Sequence, residues 1–404
     1  MRVYQLNTFS GVKSTGRIAF EIAKLAESQG MECRVGYGVP GVPREAETLS
    51  IRIGRPWERK LHGALRKLMD GEGYGSYFAT RRFLKEMRAF HPDVVHLHNL
   101  HGCYLHLPTL FGALKRMGVP VLWTLHDCWP FTGHCAYYDL CGCDRFETEC
   151  HHCPQKHAYP ECIGLSRAGA NHRAKKRWLT ALPNLTFVAP CEWMKRQVER
   201  SFMKGAPVRV IPNGVDLTTF HPMEAEAVEL RRKYGLENAQ VLLAVASEWD
   251  ARKGLKDLLL CREHWDQSCR LVIIGLSGEQ IAALPKGVLG LTHTESPQEL
   301  AAWYTAADCL VNPTMEDNLP MVNLEAIACG TPVAVYHTGG CGDEVDETCG
   351  RVVSRGDALA LARAAATLCG EKPRLREGCL RRAEGFEAGK MFQAYVDLYR
   401  EVAP

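Results

Sequence analysis

The residues from Glu316 to Pro332 concentrate more potential chemistry than any other stretch of the chain. Two adjacent carboxylates, Glu316 and Asp317, open a short polar turn completed by Asn318, Leu319 and Pro320. A third carboxylate, Glu325, follows eight positions after Asp317 and nine after Glu316. The residues around Glu325 read as a helix ended by Gly330, and Val333-Ala334-Val335 reads as the next strand. A strand–loop–helix–strand unit aims backbone N–H groups and a helix N-terminus at one point in space. Carboxylates flanking that point accept hydrogen bonds from hydroxyl groups. The combination suits a ligand that is anionic and rich in hydroxyls.

Other groups extend this chemistry. Arg252, Lys253 and Gly254 follow the apolar run Val241–Ala246 and precede a helical stretch, where a cation can reach a diphosphate. His126 ends the strand Val121–Leu125, where an imidazole can bond a sugar hydroxyl and Asp127 can orient the ring. His98, Asn99 and His101 end the preceding strand and fall on the same rim, where they either face an acceptor or cap the loop. The loop Asn7–Arg17 joins the first strand to the first helix. Its Gly11 and Gly16 permit close approach of backbone to a ligand, and Ser14 or Thr15 can cap the helix.

The chain has 18 cysteines, and five fall between Cys135 and Cys153, with His134, His151 and His152 among them. Cys150-x2-Cys153 has the spacing of a metal knuckle, and Cys135, Cys143, Cys150 and Cys153 make the best tetrahedral set for a structural zinc ion. In a reducing compartment metal is favoured over disulfides, with free or redox-labile thiols as the other reading. Four thiolates would leave no open coordination position, so such an ion would be structural rather than catalytic. The other cysteines lie mostly in apolar runs, where they act as small buried hydrophobes.

The elements that must position these groups alternate along the whole chain. Strands are expected at Val3–Leu6, Cys33–Tyr37, Val94–Leu97, Val121–Leu125, Leu185–Val188 and Val208–Ile211, then at Val241–Ala246, Leu271–Ile274, Val288–Leu291, Cys309–Asn312 and Val333–Tyr336. Helical stretches lie between them, and continuous apolar strands predict parallel sheets covered on both faces. A length of 404 residues exceeds one ordinary core. The expected architecture is α/β, with two doubly wound Rossmann-like domains facing across a cleft: residues 1–203 and 204–387, the last helix, within 388–404, packing back on the first. Apolar content of 46% and charge of 24% are those of a globular protein. No apolar run approaches the ~20 residues of a membrane span, and no signal-like core follows the N-terminus, so a cytoplasmic location is expected. Residues 1–200 carry 28 Lys and Arg against 18 Asp and Glu, and the remainder carries 21 against 28. The basic first half could attract an anionic membrane surface, a pyrophosphate-linked lipid or nucleic acid. The amphipathic stretch Trp57–Met69 reads either as a helix on the domain surface or as one lying on anionic lipid at the inner face of the plasma membrane. No clustered aromatic–basic motif points to nucleic acid.

The Glu316–Pro332 segment resembles the donor-sugar motif of retaining GT-B glycosyltransferases of family 4, in the branch that builds bacterial surface polysaccharides. The resemblance is strongest at Leu125–Pro154 and Val311–Gly340. It implies that Glu325 holds the ribose of a nucleotide diphosphate sugar, UDP- or GDP-linked, and that Glu316 or Asp317, with Asn318 and Leu319, holds the sugar. It implies Lys253 on the phosphates and His126 on the donor sugar, and it places Gly16 in the family's first glycine loop. Here the chain departs from the pattern: Glu248 stands where the family carries an Arg, and either Arg252 substitutes or the phosphates rely more on helix N-termini. The implied reaction moves a sugar to a saccharide or polyprenyl-linked acceptor, as in hexosyl transfer. No Asp-x-Asp occurs, so basic groups and helix dipoles are expected to neutralise the leaving diphosphate, with no cofactor for catalysis. A nucleotide-sugar epimerase of the same fold, or a non-catalytic zinc-containing binding protein, is the alternative.

Overall fold

The computed structural model describes residues 1–403 as two compact units. The first comprises Met1–Ile211 and the chain from Phe392 onward; the second is Pro212–Met391.

The first unit is built on a seven-stranded parallel sheet: β1 (Arg2–Asn7), β2 (Glu32–Tyr37), β3 (Ser50–Arg52), β4 (Val94–Leu97), β5 (Val121–Thr124), β6 (Leu185–Ala189) and β7 (Val208–Val210). The spatial order is β3-β2-β1-β4-β5-β6-β7. Helices α1 (Lys13–Ser28), α2 (Pro56–Met69), α3 (Tyr77–Phe90), α4 (Leu107–Met117), α5 (Ala168–Leu179) and α6 (Glu192–Arg200) connect the strands. Every residue of β4 and β5 is buried, as the unbroken apolar pattern of a central parallel strand requires.

The second unit carries a six-stranded parallel sheet: β8 (Gln240–Val245), β9 (Cys269–Ile274), β10 (Val288–Leu291), β11 (Cys309–Asn312), β12 (Val333–Tyr336) and β13 (Gly350–Val353). Its order is β10-β9-β8-β11-β12-β13. Its helices are α7 (Glu224–Lys233), α8 (Leu255–Arg262), α9 (Gly278–Ala282), α10 (Pro297–Ala306), α11 (Met321–Ala328), α12 (Cys341–Glu344) and α13 (Ala358–Glu384). The final helix, α14 (Ala388–Val402), brings Tyr395 and Tyr399 to the first sheet. Tyr399 Oη lies 2.7 Å from His96 Nδ1, and Thr124 Oγ1 lies 3.3 Å from Tyr395 Oη.

In both sheets the strand order reverses beside the first strand, between β1 and β4 and between β8 and β11. Loops leaving the carboxyl ends on the two sides of such a point diverge, and the crevice they leave is where open α/β sheets bind ligands. Each unit therefore has one topologically favoured site. All eleven expected strands are present. Two edge strands, β3 and β13, were not expected, because neither is fully buried and each carries an arginine. The run from Val208, expected to open the second domain, instead adds β7 to the first sheet by pairing with β6.

Candidate active site

In the second unit, the loop after β8 and the loop after β11 are stapled together at the switch point. Asp250 caps the short turn Ala251–Lys253 by accepting the Lys253 N–H at 2.9 Å. Gly254 follows with a φ of +74°, and a Cβ there would stand 2.1 Å from the Pro313 carbonyl oxygen, so only glycine lets the two loops approach this closely. Met315 N–H donates to the Arg252 carbonyl at 2.8 Å. Arg252 Nη1 donates to the Glu316 carbonyl at 2.9 Å and lies 3.7 Å from Asp317 Oδ2. Lys253 Nζ bonds the same oxygen at 2.5 Å. Two cations therefore converge on one carboxylate. Burial alone would raise the Asp317 pKa, but Lys253 and then Arg252 outweigh it and hold the group below its ordinary value.

Glu316, Asn318 and Leu319 are buried, whereas Asp317 is half-buried. Their turn is fixed by backbone bonds: the Asn318 carbonyl accepts from Gly340 N–H at 2.7 Å, and the Leu319 carbonyl accepts from Asn213 at 3.2 Å. α11 then starts after Pro320 with no side chain capping it. Glu325, one turn in and half-buried, accepts the Tyr304 hydroxyl at 2.8 Å.

Beneath this turn runs a buried polar chain that sequence reasoning missed. Thr314 N–H donates to Asn312 Oδ1 at 3.2 Å, Asn312 to Asn323 Oδ1 at 2.9 Å, and Asn323 to Glu344 Oε2 at 2.8 Å. Glu344 is fully buried, and burial above all, with the nearby Asp317 charge, pushes its pKa far up, which favours the neutral acid. The one sequence signal was an Asn on each side of the turn, at an apolar strand end and inside an apolar helix.

In the first unit the carboxyl ends of β1, β4 and β5 carry a rim of histidines. His98 Nε2 lies 2.8 Å from Gln5 Oε1, while Gln5 Nε2 donates to the Ala19 carbonyl at 3.0 Å. That orientation makes His98 Nε2 the protonated nitrogen and leaves Nδ1 as an acceptor. His126 Nε2, 3.0 Å away, must then donate to it, so a neutral His126 carries its proton on Nε2. Neutrality follows from burial. It drives His98 well below its ordinary pKa and lowers His126 to about 4, Asp127 opposing the shift and His101 adding to it. Asp127 does not orient His126, as expected, because its carboxylate is taken. It bonds His101 Nε2 at 2.7 Å and accepts the Trp129 N–H at 2.9 Å. Asn99 is half-buried and its N–H donates to Asn7 Oδ1 at 3.2 Å.

Gly16 is not an open ligand-facing position. It is buried in the first turn of α1, where a Cβ would come 2.8 Å from Phe9 Cβ, so its role is packing. Neither Ser14 nor Thr15 caps α1, which begins at Lys13 without a side-chain cap.

The four zinc candidates, Cys135, Cys143, Cys150 and Cys153, line one small cavity with His134. Among the described residues, however, no three His, Cys, Asp or Glu side chains group as a metal site. The expected zinc shell is therefore not assembled. The thiols are engaged locally: Cys150 Sγ accepts the Gly133 N–H at 3.2 Å, and a hydrogen bond with Cys153, then burial, push the Cys135 thiol well up. His134 Nδ1 lies 2.5 Å from Asp70, and its buried Nε2 has no partner.

The model of the family described as Glycosyltransferase Family 4 matches residues 15–219, just over half of the chain. The chain belongs to glycosyltransferase family 4. A second model, described as Glycosyl transferases group 1, matches residues 239–371 and so covers the Arg252–Lys253 and Glu316–Glu325 loops. Among family relatives, WcaC of Escherichia coli (strain K12), named for colanic acid biosynthesis and glycosyl transfer, is 24% identical over 418 aligned positions spanning all of both chains. The D-inositol 3-phosphate glycosyltransferase of Xylanimonas cellulosilytica is 32% identical over 213 residues, 48% of this chain and 51% of that one. Among solved structures, Anabaena HepE in complex with UDP-glucose superposes with a TM-score of 0.68 at 16% identity, covering 99% of this chain and 100% of that one. WaaG, a glycosyltransferase involved in lipopolysaccharide biosynthesis, gives 0.65 at 16%, covering 99% of each. At such identities the structural likeness speaks for the fold, which is GT-B, as the family resemblance implied. In this family 4 chain Glu248 is exposed, and Arg252 shares the Asp317 carboxylate with Lys253.

Proposed function

We propose that this family 4 enzyme transfers a hexosyl group from a nucleotide diphosphate sugar, UDP- or GDP-linked, to a saccharide or polyprenyl-linked saccharide during assembly of a surface polysaccharide. The observation that carries the reading is the convergence of Lys253 and Arg252 on Asp317 at the β8/β11 switch point, beside the N-terminus of α11. That loop pair offers cations for a diphosphate and carboxylates for hydroxyls within one crevice. The names of WcaC and of the UDP-glucose complex of HepE support the polysaccharide and the donor class.

In this reading Glu325 holds the ribose, Lys253 and Arg252 the diphosphate, and Asp317 or Glu316 with Asn318 and Leu319 the sugar. His126, at the end of β5, serves the donor sugar. Asn99 serves the acceptor end, and His98 and His101, buried with both ring nitrogens engaged, hold that rim in place. The stabilised leaving diphosphate assists attack from the face it leaves, so the anomeric configuration is retained. No step is assigned to a divalent ion, since Lys253 and Arg252 supply the positive charge that transition-state stabilisation needs. Activity that survives chelation, and an NMR spectrum of the first-formed product with the donor's anomeric configuration, are the expected results. An inverted product rejects retention. The whole reading falls if no nucleoside diphosphate or nucleotide sugar raises the melting temperature of the chain.

The cysteine cluster supports a structural ion on one point only: four thiols and the unpartnered His134 Nε2 share a cavity. Elemental analysis of protein purified without chelators decides it. About one zinc per chain supports the ion; none means that the thiols act as packed hydrophobes.

A further inference from the structure

The described residues include thirteen large hydrophobic side chains that are exposed, and eight of them meet on one face of the first unit. Trp57, Leu61 and Leu68 form an exposed stripe along α2, with half-buried Leu65 between the last two. Spacings of four, four and three residues keep that stripe on one helix face. Met69 at the end of α2 and Tyr77 and Phe78 in the first turn of α3 continue it; Phe78 is 70% exposed. A distant segment joins them. Ile163 and Leu165, the latter 72% exposed, are strapped to the end of α2 by N–H bonds to the Lys67 and Leu68 carbonyls at 2.8 and 2.9 Å. Between α2 and the start of α3 lies a groove of about 490 Å³ with Trp57, Leu61, Leu65, Leu68 and Phe78 in its walls.

The charges around this face have one sign. Arg55, Lys60, Lys67, Arg81, Arg82 and Lys85 are exposed. Every acidic residue from 55 to 85 is turned inward: Glu58 beneath Arg82, Asp70 against His134, and Glu72 on the N–H groups of Gly102 and Cys103. Of the carboxylates at the margin, Glu161 is paired with Lys67 at 3.2 Å and half-exposed Glu86 with Arg34 at 3.1 Å.

We propose that this face docks on an anionic lipid bilayer, with Trp57, Leu61, Leu68 and Phe78 entering the interface and an acyl chain seated in the groove. Exposed apolar patches of this extent on a single-chain surface mark interaction sites. Aromatic and aliphatic side chains ringed by cations fit the boundary between headgroups and acyl chains, where each basic residue adds attraction to anionic lipid. A protein partner with an apolar surface would leave Lys60, Arg81 and Lys85, which have no carboxylate partner among the described residues, unexplained. The docking goes beyond the transferase reading and does not depend on it. It also has a consequence for that reading. Glu72, behind the groove, holds Gly102 and Cys103, the residues that follow His101 on the rim. A bilayer at this face would thus lie close to the end assigned to a lipid-linked acceptor.

The test is flotation of the full chain with phosphatidylcholine vesicles, with and without phosphatidylglycerol. The chain should float with the anionic vesicles and much less with pure phosphatidylcholine, and salt should weaken the association. Trp57→Ser with Phe78→Ser should lower the affinity roughly tenfold or more. Lys60→Glu with Arg81→Glu should abolish the preference for anionic lipid. Melting temperature and nucleoside diphosphate binding, measured in parallel, should be unchanged in both variants. The proposal is overturned if the chain ignores anionic vesicles, or if both variants float like the wild type. It is equally overturned if the chain forms a dimer that the serine variant dissociates and vesicles do not compete with, which would assign the face to a second copy.

Discussion

Lowering the pH from about 7.5 to about 5.5 should destabilise the first unit by roughly 4 kcal/mol, through three histidines packed against one another. His96 is buried with both ring nitrogens engaged, by Tyr399 at 2.7 Å and Thr124 at 2.8 Å. Burial lowers its pKa to about 3, with His126 adding to the shift. His98 is held well below its ordinary value and His126 at about 4. In the unfolded chain each titrates near ~6.5. The folded-state values are depressed, so the contribution is complete above ~6.5 and is lost as the pH falls towards about 4 and about 3. At about pH 5.5 each unfolded imidazole takes up most of a proton that the folded state refuses, worth about 1.4 kcal/mol apiece. His62, His106 and His172 are shifted the same way by burial and add to the total. Against a usual stability of ~5–15 kcal/mol this is a large share. The assay is urea unfolding followed by fluorescence at several pH values. His96→Gln with His98→Gln should flatten the acid slope by roughly 2–3 kcal/mol over that range. A wild-type stability that stays level down to about pH 5.5, or a slope unaltered in the double variant, would refute the assignment of neutral rings.

Three further perturbations probe the second unit. Asp317→Asn should leave nucleoside diphosphate binding as tight or tighter while removing roughly tenfold of the extra affinity for the nucleotide sugar, one charge-assisted hydrogen bond; calorimetry showing the same ratio in both proteins would take Asp317 out of the sugar site. Glu344→Gln should cost less than ~1 kcal/mol, because the neutral acid is already favoured, whereas Glu344→Ala should cost about 2–4 kcal/mol by leaving Asn323 unpaired over a cavity; equal losses in thermal unfolding would contradict the neutral acid. Gly339→Ala should cut donor turnover at least tenfold, since a Cβ there would fall 1.5 Å from the Asp317 carbonyl oxygen and its φ is +52°; unchanged kinetics would show that the Asp317 turn can move without loss.

Much of this was legible in the sequence because parallel strands buried on both faces cannot hide. β4, β5, β11 and β12 are four-residue runs with every residue buried, and apolar runs of that kind are a direct image of the sheet. β3 and β13 were missed because an edge strand needs little burial. The Glu316–Glu325 segment was legible through its spacing around a helix start. What its side chains bond was not, since that depends on residues far away in sequence. Asp317 meets Lys253 across 64 positions, and His98 meets Gln5 across 93. Asp127 shows the same limit in a smaller space. It adjoins His126 in sequence, yet it bonds His101, because a side chain next in sequence to another at a strand end has no geometric claim on it. The cysteines failed differently: their spacing described a loop capable of a metal knuckle, and the loop brought them to one cavity without grouping them as ligands.

The Lys253–Asp317 pair gives the proposed donor site a property that neither residue would give alone. Lys253 Nζ lies 2.5 Å from a carboxylate that is only partly exposed, and both side chains are 17% exposed. A charge pair ~3 Å apart at an effective dielectric of ~20 has roughly 5 kcal/mol of gross attraction, most of it offset by desolvation. A diphosphate that draws Lys253 away leaves Asp317 with less compensation, which opposes binding. A hydroxyl-bearing sugar on the same ligand restores it by donating to the freed carboxylate oxygen. Phosphate and sugar are then coupled through one ion pair: a nucleotide sugar should bind more tightly than its separated halves imply, and a bare nucleoside diphosphate should leave part of the pair's energy unrecovered. Asp317→Asn removes the coupling from both sides, which is why the ratio of the two affinities, rather than either alone, reports on it.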